Sequence, residues 1–181
     1  LRAFYYFCLF RHYGPVIVWG DQPADQNAVG KELDRDPLEK NINFIVDELD
    51  KVIPILPENI TEIGLEAKTN FGRVTKGAAR ALKARVLIYA ASPLYNGCDL
   101  YKGMTNMNGE KIFPQEYDAD KWEVAAQACL DVINMSQYSL VKSEKAGNTD
   151  FQNKALSYQN VYFEPWNTET IWGWWFRNWD F

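Results

Sequence analysis

The 181-residue sequence holds one histidine, His12, and only three cysteines, Cys8, Cys98 and Cys129. An odd cysteine count without short ligand spacing argues against both a zinc site and a complete disulfide framework. Cys8 and Cys129 lie among apolar residues of helical period and read as small buried hydrophobes, while Cys98 falls in a loop and stays open. The chain also lacks Gly-x-Gly-x-x-Gly, a phosphate-binding loop, His-Glu-x-x-His and Gly-x-Ser-x-Gly. His12 has no partnered nucleophile, and its place at a helix end, where a cation complements the dipole, gives it a structural reading. Basic charge is scarce: 19 Lys and Arg face 24 Asp and Glu, giving a net charge of -5 and a pI near 5.0. That balance offers no electrostatic footprint for a phosphate backbone, so no nucleic-acid partner is expected. No apolar run approaches the roughly eighteen residues a spanning helix needs. The sequence opens at Leu1 in a helical pattern and closes at Phe181 in an aromatic run, so both natural ends are expected to lie outside it.

Aromatic residues are abundant, at 15% with seven tryptophans. With 47% hydrophobic and 24% charged residues the chain has the composition of a folded globular domain, and its length suits one domain with a real core.

Helical periodicity dominates the first three quarters. Leu1 to His12 is apolar almost all round and reads as a helix buried on several sides, stopped by Gly14-Pro15. Leu38, Ile42, Ile45, Leu49, Val52 and Ile53 form one stripe of a second helix, with Asp36 as the expected cap and Pro37 at its start. Thr75 is a good cap for a third helix running to about Ala91 and rich in alanine. On it Lys76, Arg80 and Lys83 share a polar face, whereas Arg85 lies about 180° from Lys76 at 100° per residue and is expected to be buried against a carboxylate. Trp122, Ala125, Ala126, Cys129, Leu130 and Ile133 give a fourth apolar stripe, capped near Asp118 or Asp120. From Gly147 to Asn160 the sequence reads as polar loop with at most a short turn, and Glu169 to Arg177 as a strand. The expected fold is mostly α, a tetratricopeptide-like helical repeat forming an α-α superhelix, with a minor β element near the C-terminus. Residues 1–141 are expected to be the helical scaffold and 142–181 an aromatic-rich loop and strand, together one partial domain.

Thr105 to Glu110 resembles part of a calcium loop, but Met104 and Gln115 stand where the ligand charges belong, so no metal or other cofactor is expected. Acid pairs such as Glu164 with Glu169 or Asp180 are compatible with glycoside hydrolysis only at the right separation in space. The outstanding feature is terminal aromatic density. Ten of the twenty-four residues from Tyr158 to Phe181 are aromatic. Sugar rings present flat C–H faces that suit indole and phenol surfaces, with hydroxyls fixed by polar neighbours. The candidate ligand-binding residues are therefore Trp174, Trp175, Arg177, Asn178 and Trp179; the alternative is that these aromatics only fill the core.

Several blocks carry a family resemblance. Leu1 to Val16 (LRAFYYFCLFRHYGPV), Leu38 to Pro57, Gly72 to Asn96 (GRVTKGAARALKARVLIYAASPLYN), Asp131 to Val141 (DVINMSQYSLV) and Asn167 to Ile171 (NTETI) resemble, in order, blocks of the SusD/RagB family. Ile17 departs from a second proline common there, which leaves the path toward Trp19 open. The resemblance implies a non-catalytic, cell-surface lipoprotein of Bacteroidetes-like bacteria, on tetratricopeptide-like helices, that binds oligosaccharides or polysaccharides and delivers them to a SusC-like TonB-dependent outer-membrane transporter. It further implies that the matched blocks are scaffold and that membrane attachment is through a lipid anchor outside this chain. A peptide- or protein-binding module is the alternative, and a helical glycoside hydrolase a third possibility.

Overall fold

The structure, a computed structural model, describes residues 1–21, 33–59, 72–164 and 166–173. Among these the regular elements are helical: α1 (Arg2–Tyr13), α2 (Leu38–Val52), α3 (Lys76–Ala91), a 3-10 turn (Asp99–Tyr101), α4 (Asp120–Ile133) and α5 (Asp150–Phe163). The mostly helical architecture read from the sequence is borne out. Helix α2 packs against both α1 and α3, Phe7 of α1 meets Tyr89 of α3 edge-on at 5.5 Å, and α3 packs against α4.

The core follows the apolar periods. Phe7 and Phe10 of α1 meet Leu38, Ile42, Ile45 and Leu49 of α2, and Ala79, Val86 and Ala90 of α3 close the cluster. Small residues on α3 let its neighbours approach on two sides, with α2 on one and α4 on the other. One end of the cluster is shut by stacked rings, Tyr101 on Phe113 at 4.3 Å, beside Tyr95. Asn41, 1% exposed, is the polar exception in this core. Its Oδ1 accepts the Val16 N–H at 3.0 Å and its amide donates to the Asp36 and Pro37 carbonyls, tying the segment after α1 to the start of α2. The path beyond Ile17 is fixed the same way, because Val18 N–H donates to Asp36 Oδ2 at 2.7 Å and Trp19 N–H to Tyr6 Oη at 3.0 Å.

Several sequence expectations change on folding. Asp36 does not cap α2; its carboxylate is taken by Val18 and by Lys40 at 2.6 Å, and Pro37 occupies the cap position. Helix α1 is buried on one side only, with Leu1, Tyr5, Leu9 and Tyr13 exposed on the other. Arg85 is exposed and pairs with no carboxylate among the described residues, so it lies on a part of α3 that no neighbouring helix covers. Cys8, Cys98 and Cys129 are all half-buried free thiols. On α4 only Ala125 and Ala128 are buried, and Trp122, Leu130 and Ile133 of the expected stripe stay exposed.

The largest correction concerns residues 147–160, read as loop. Residues 150–163 are helix α5, opened by a reciprocal cap in which Thr149 Oγ1 accepts the Gln152 N–H at 3.3 Å and Gln152 Oε1 accepts the Thr149 N–H at 2.8 Å. In the expected strand, residues 169–173 run as turns and bends, and 174–177 lie outside the described residues. The single β pairing among the described residues is the isolated bridge Thr105 to Lys111. It closes a loop organised by Asn106, whose Oδ1 accepts the Asn108 and Glu110 N–H groups, so the calcium-like spacing serves a turn.

Candidate functional site

The turn before α3, the segment after α4 and residues 166–172 converge on a cleft of about 230 Å³. Trp166, Trp172, Tyr138, Arg73, Gln137 and Thr168 contribute to its walls, with Glu58 and Asn59 at one side. It is an aromatic pocket rimmed by amide, hydroxyl and guanidinium groups, the mixture that holds a polar ligand with flat apolar faces.

Each wall is held by local chemistry. The chain reverses at Gly72, where φ is +92 and an added Cβ would stand 3.1 Å from the Gly173 carbonyl oxygen. That close approach lets the Trp172 indole N–H donate to the Gly72 carbonyl at 2.9 Å. The Trp172 ring meets Phe4 edge-on at 5.2 Å and keeps 39% of its surface exposed, so it is anchored at one end and open at the other. Trp166 has φ of +58, a left-handed conformation unusual for a bulky side chain, and such strain concentrates at functional positions.

Asn167 secures the backbone next to it. Its amide donates to the Val161 and Glu164 carbonyls, both at 2.8 Å, while Oδ1 accepts the Glu169 N–H at 2.9 Å. Thr168 exchanges hydrogen bonds with Ser139, and Glu169 Oε1 accepts the Val141 N–H at 2.7 Å. The block Asn167 to Ile171 therefore pins this loop to the segment after α4, and its polar side chains are scaffolding around the two indoles.

Tyr138 seats its ring on Gly77, where an added Cβ would come within 2.1 Å of the phenolic oxygen. Glu58 is fixed by Lys76 at 2.6 Å, and that hydrogen bond holds its carboxyl below the usual range despite some desolvation. A second, more polar groove shares Glu58, Asn59 and Gln137 with the cleft and continues past Arg80, Asp131, Asn134 and Ser136. Aromatic cleft and polar groove thus form one continuous surface across the N-terminal half of α3. Among the described residues no group of three or more His, Cys, Asp or Glu side chains is placed to hold a metal ion.

The five residues singled out from sequence, Trp174, Trp175, Arg177, Asn178 and Trp179, lie outside the described residues. The structure brings together their neighbours Trp166 and Trp172 with Tyr138, Gln137 and Arg73. The first two belong to the same aromatic-rich terminus; Tyr138 and Arg73 carried no sequence signal of site membership, since only folding places them beside that terminus.

No family model and no curated protein sequence matches the chain. Solved structures do. BT4246 superposes with a TM-score of 0.72 at 28% identity, over 94% of this chain and 33% of that one. Its selenomethionine form gives 0.66 at 26% identity, over 94% of this chain and 32% of that one. A SusD-like protein of Bacteroides fragilis, BF3747, gives 0.62 at 23% identity, over 99% of this chain and 26% of that one. The chain spans between about a quarter and a third of the length of these structures.

Proposed function

We propose that this SusD-like chain contributes to a non-catalytic glycan-binding surface, with an oligosaccharide stacked on Trp166 and Trp172 and its hydroxyls bound by Asn59, Gln137 and Thr168. The observation that carries the reading is the pair of indoles on one cleft, one in a left-handed backbone conformation and one half-exposed yet hydrogen-bonded. Such a surface contacts sugar C–H faces while nearby amides and hydroxyls satisfy the polar rim. On the sequence pattern alone, Trp174, Trp175, Arg177, Asn178 and Trp179 are proposed as further ligand-binding residues. A binding role without turnover fits the carboxyl chemistry. A glycosidase acid needs its pKa pushed up, whereas Lys76 pushes that of Glu58 down.

The wider role follows the family resemblance: capture of glycan at the outer surface of a bacterium, attachment by a lipid anchor, and handover to a SusC-like TonB-dependent transporter. No helix among the described residues is long and apolar enough to cross a membrane, which is compatible with that anchoring.

The test is calorimetry of the intact protein against a panel of oligosaccharides, repeated with Trp166→Gly. Glycine removes the indole and tolerates the left-handed backbone, which costs a larger residue roughly 1–2 kcal/mol. Binding by the parent and its loss in the variant, with unchanged far-ultraviolet circular dichroism, is the expected outcome. A peptide that binds this cleft while every sugar fails would favour the peptide-binding module instead.

A further inference from the structure

The charge pattern around the cleft narrows its ligand. Residues 67–98 contain no Asp or Glu at all, in a chain where acids outnumber bases, yet hold Lys68, Arg73, Lys76, Arg80, Lys83 and Arg85. Two of these cations are consumed locally, Lys76 by Glu58 at 2.6 Å and Lys83 by Asp50 at 2.7 Å. Arg85 points away from the site. Arg73 lines the aromatic cleft and Arg80, half-buried, lines the groove that continues from it. Neither guanidinium forms a side-chain ion pair among the described residues, although the Glu58 carboxyl that Lys76 holds also feels the charge of Arg80. The remaining carboxylate of the groove, Asp131, is exposed and accepts a hydrogen bond from Gln127 at 3.0 Å.

Neutral sugars do not call for this arrangement. Hydroxyl groups are served by amides and alcohols, which the cleft already supplies in Asn59, Gln137 and Thr168. A guanidinium presents a planar fork of donors that matches a carboxylate or a sulfate ester and forms charge-assisted bonds about twice as strong as neutral ones. An arginine beside two indoles in the cleft, and a second arginine in the groove that shares its wall, are the complement of a chain bearing anionic groups alongside flat sugar faces. The N-terminus of α3 lies on the same surface and adds a field of the same sign.

We propose that the ligand is an acidic oligosaccharide whose carboxylate or sulfate substituents are bound by Arg73 and Arg80 while its rings stack on Trp166 and Trp172. The proposal rests on the glycan-binding reading above and specifies its substrate class.

The experiment compares three probes with one protein: tetragalacturonic acid, the same oligomer with every carboxyl methyl-esterified, and a sulfated tetrasaccharide of a galactose backbone. Affinities are measured by calorimetry at fixed ionic strength for the parent, Arg80→Gln, Arg80→Lys and Arg73→Gln. Loss of one charge-assisted contact is expected to weaken an acidic probe about tenfold. Esterification should cause a loss of at least that size, Arg80→Gln should weaken the acidic probe and leave the ester unaffected, and Arg80→Lys should recover part of the affinity. Preference for the uronate or for the sulfate ester identifies which anion the groove takes. If the ester binds as well as the acid, or if the arginine variants change both probes equally, the acidic assignment is overturned while the glycan reading stands. If neutral gluco-, galacto- and manno-oligosaccharides fail along with all three probes, both readings fall.

Discussion

Replacing Gly77 by alanine tests how α3 and the cleft wall are coupled. Gly77 sits in the first turn of α3 with ordinary helical backbone, so alanine alone would favour the helix by about 1 kcal/mol. The new Cβ would lie 2.1 Å from the Tyr138 hydroxyl oxygen and 2.6 and 2.7 Å from Cε2 and Cζ. Since ordinary contacts are about 3.5–4 Å, the rigid ring has to retreat by roughly 1.5 Å, and overpacking of this kind costs about 1–3 kcal/mol. The net expectation is a loss of about 1 kcal/mol, seen as a fall in Tm of roughly 2–4 °C for a chain of this size. In a Tyr138→Ala background the ring is gone and the sign reverses, so the same substitution should raise Tm by a similar amount. Thermal denaturation followed by circular dichroism on the four proteins of the cycle gives the coupling directly. A Gly77→Ala protein that melts higher than its parent, or a cycle with no coupling, would refute the ring's placement against α3. Because Tyr138 lines the cleft, its displacement should also weaken glycan binding in the single variant.

Asn41→Ala should lower unfolding free energy by about 1–3 kcal/mol in urea titrations, because the half-buried Val16 N–H loses its acceptor and the Asp36 and Pro37 carbonyls lose a donor; an unchanged midpoint would contradict the Asn41 anchor. Gly97→Ala should destabilise by roughly 1–3 kcal/mol through backbone strain alone, given its φ of +74, and by more through a Cβ placed 2.4 Å from the Tyr117 backbone nitrogen; near-parental melting would disprove that approach. Glu48 has its carboxyl held below the ordinary 4.5, first by the hydrogen bond from Arg2, against desolvation, with Lys51 adding to the effect. Its contribution is complete above the unfolded value and disappears as pH falls through the lower folded one, so stability should decline below pH about 4.5, and Glu48→Gln should flatten that decline. Identical pH profiles for parent and variant below that point would show that the ion pair carries no pH dependence.

Much of the scaffold was written locally. The stripe Leu38, Ile42, Ile45 and Leu49 needs only the 3.6-residue period to define its buried face, and all four are buried. Thr75 caps α3 through Ala78, a contact spanning three residues. Even α5, misread as loop, was signalled by Thr149 and Gln152 at capping-box spacing, obscured because none of its residues is buried and its apolar period is weak. Arg85 shows where periodicity misleads. The angle from Lys76 was right, but which arc of α3 meets a neighbour depends on where α2 and α4 sit. The five ordered blocks resemble those of the SusD/RagB family, and the helical fold they imply is the one shared with BT4246 and BF3747.

Tertiary structure decided the site. Asp36 is an ideal cap by sequence, yet its carboxylate serves Val18, eighteen positions earlier. Trp172 and Gly72 stand 100 residues apart and share a hydrogen bond; Tyr138 fills the gap that Gly77 leaves open. Local sequence sets propensities, caps and apolar periods because those depend on neighbours within a few residues. The cleft depends on distant segments meeting, and only packing of the helices brings Arg73, Tyr138, Trp166 and Trp172 to one surface.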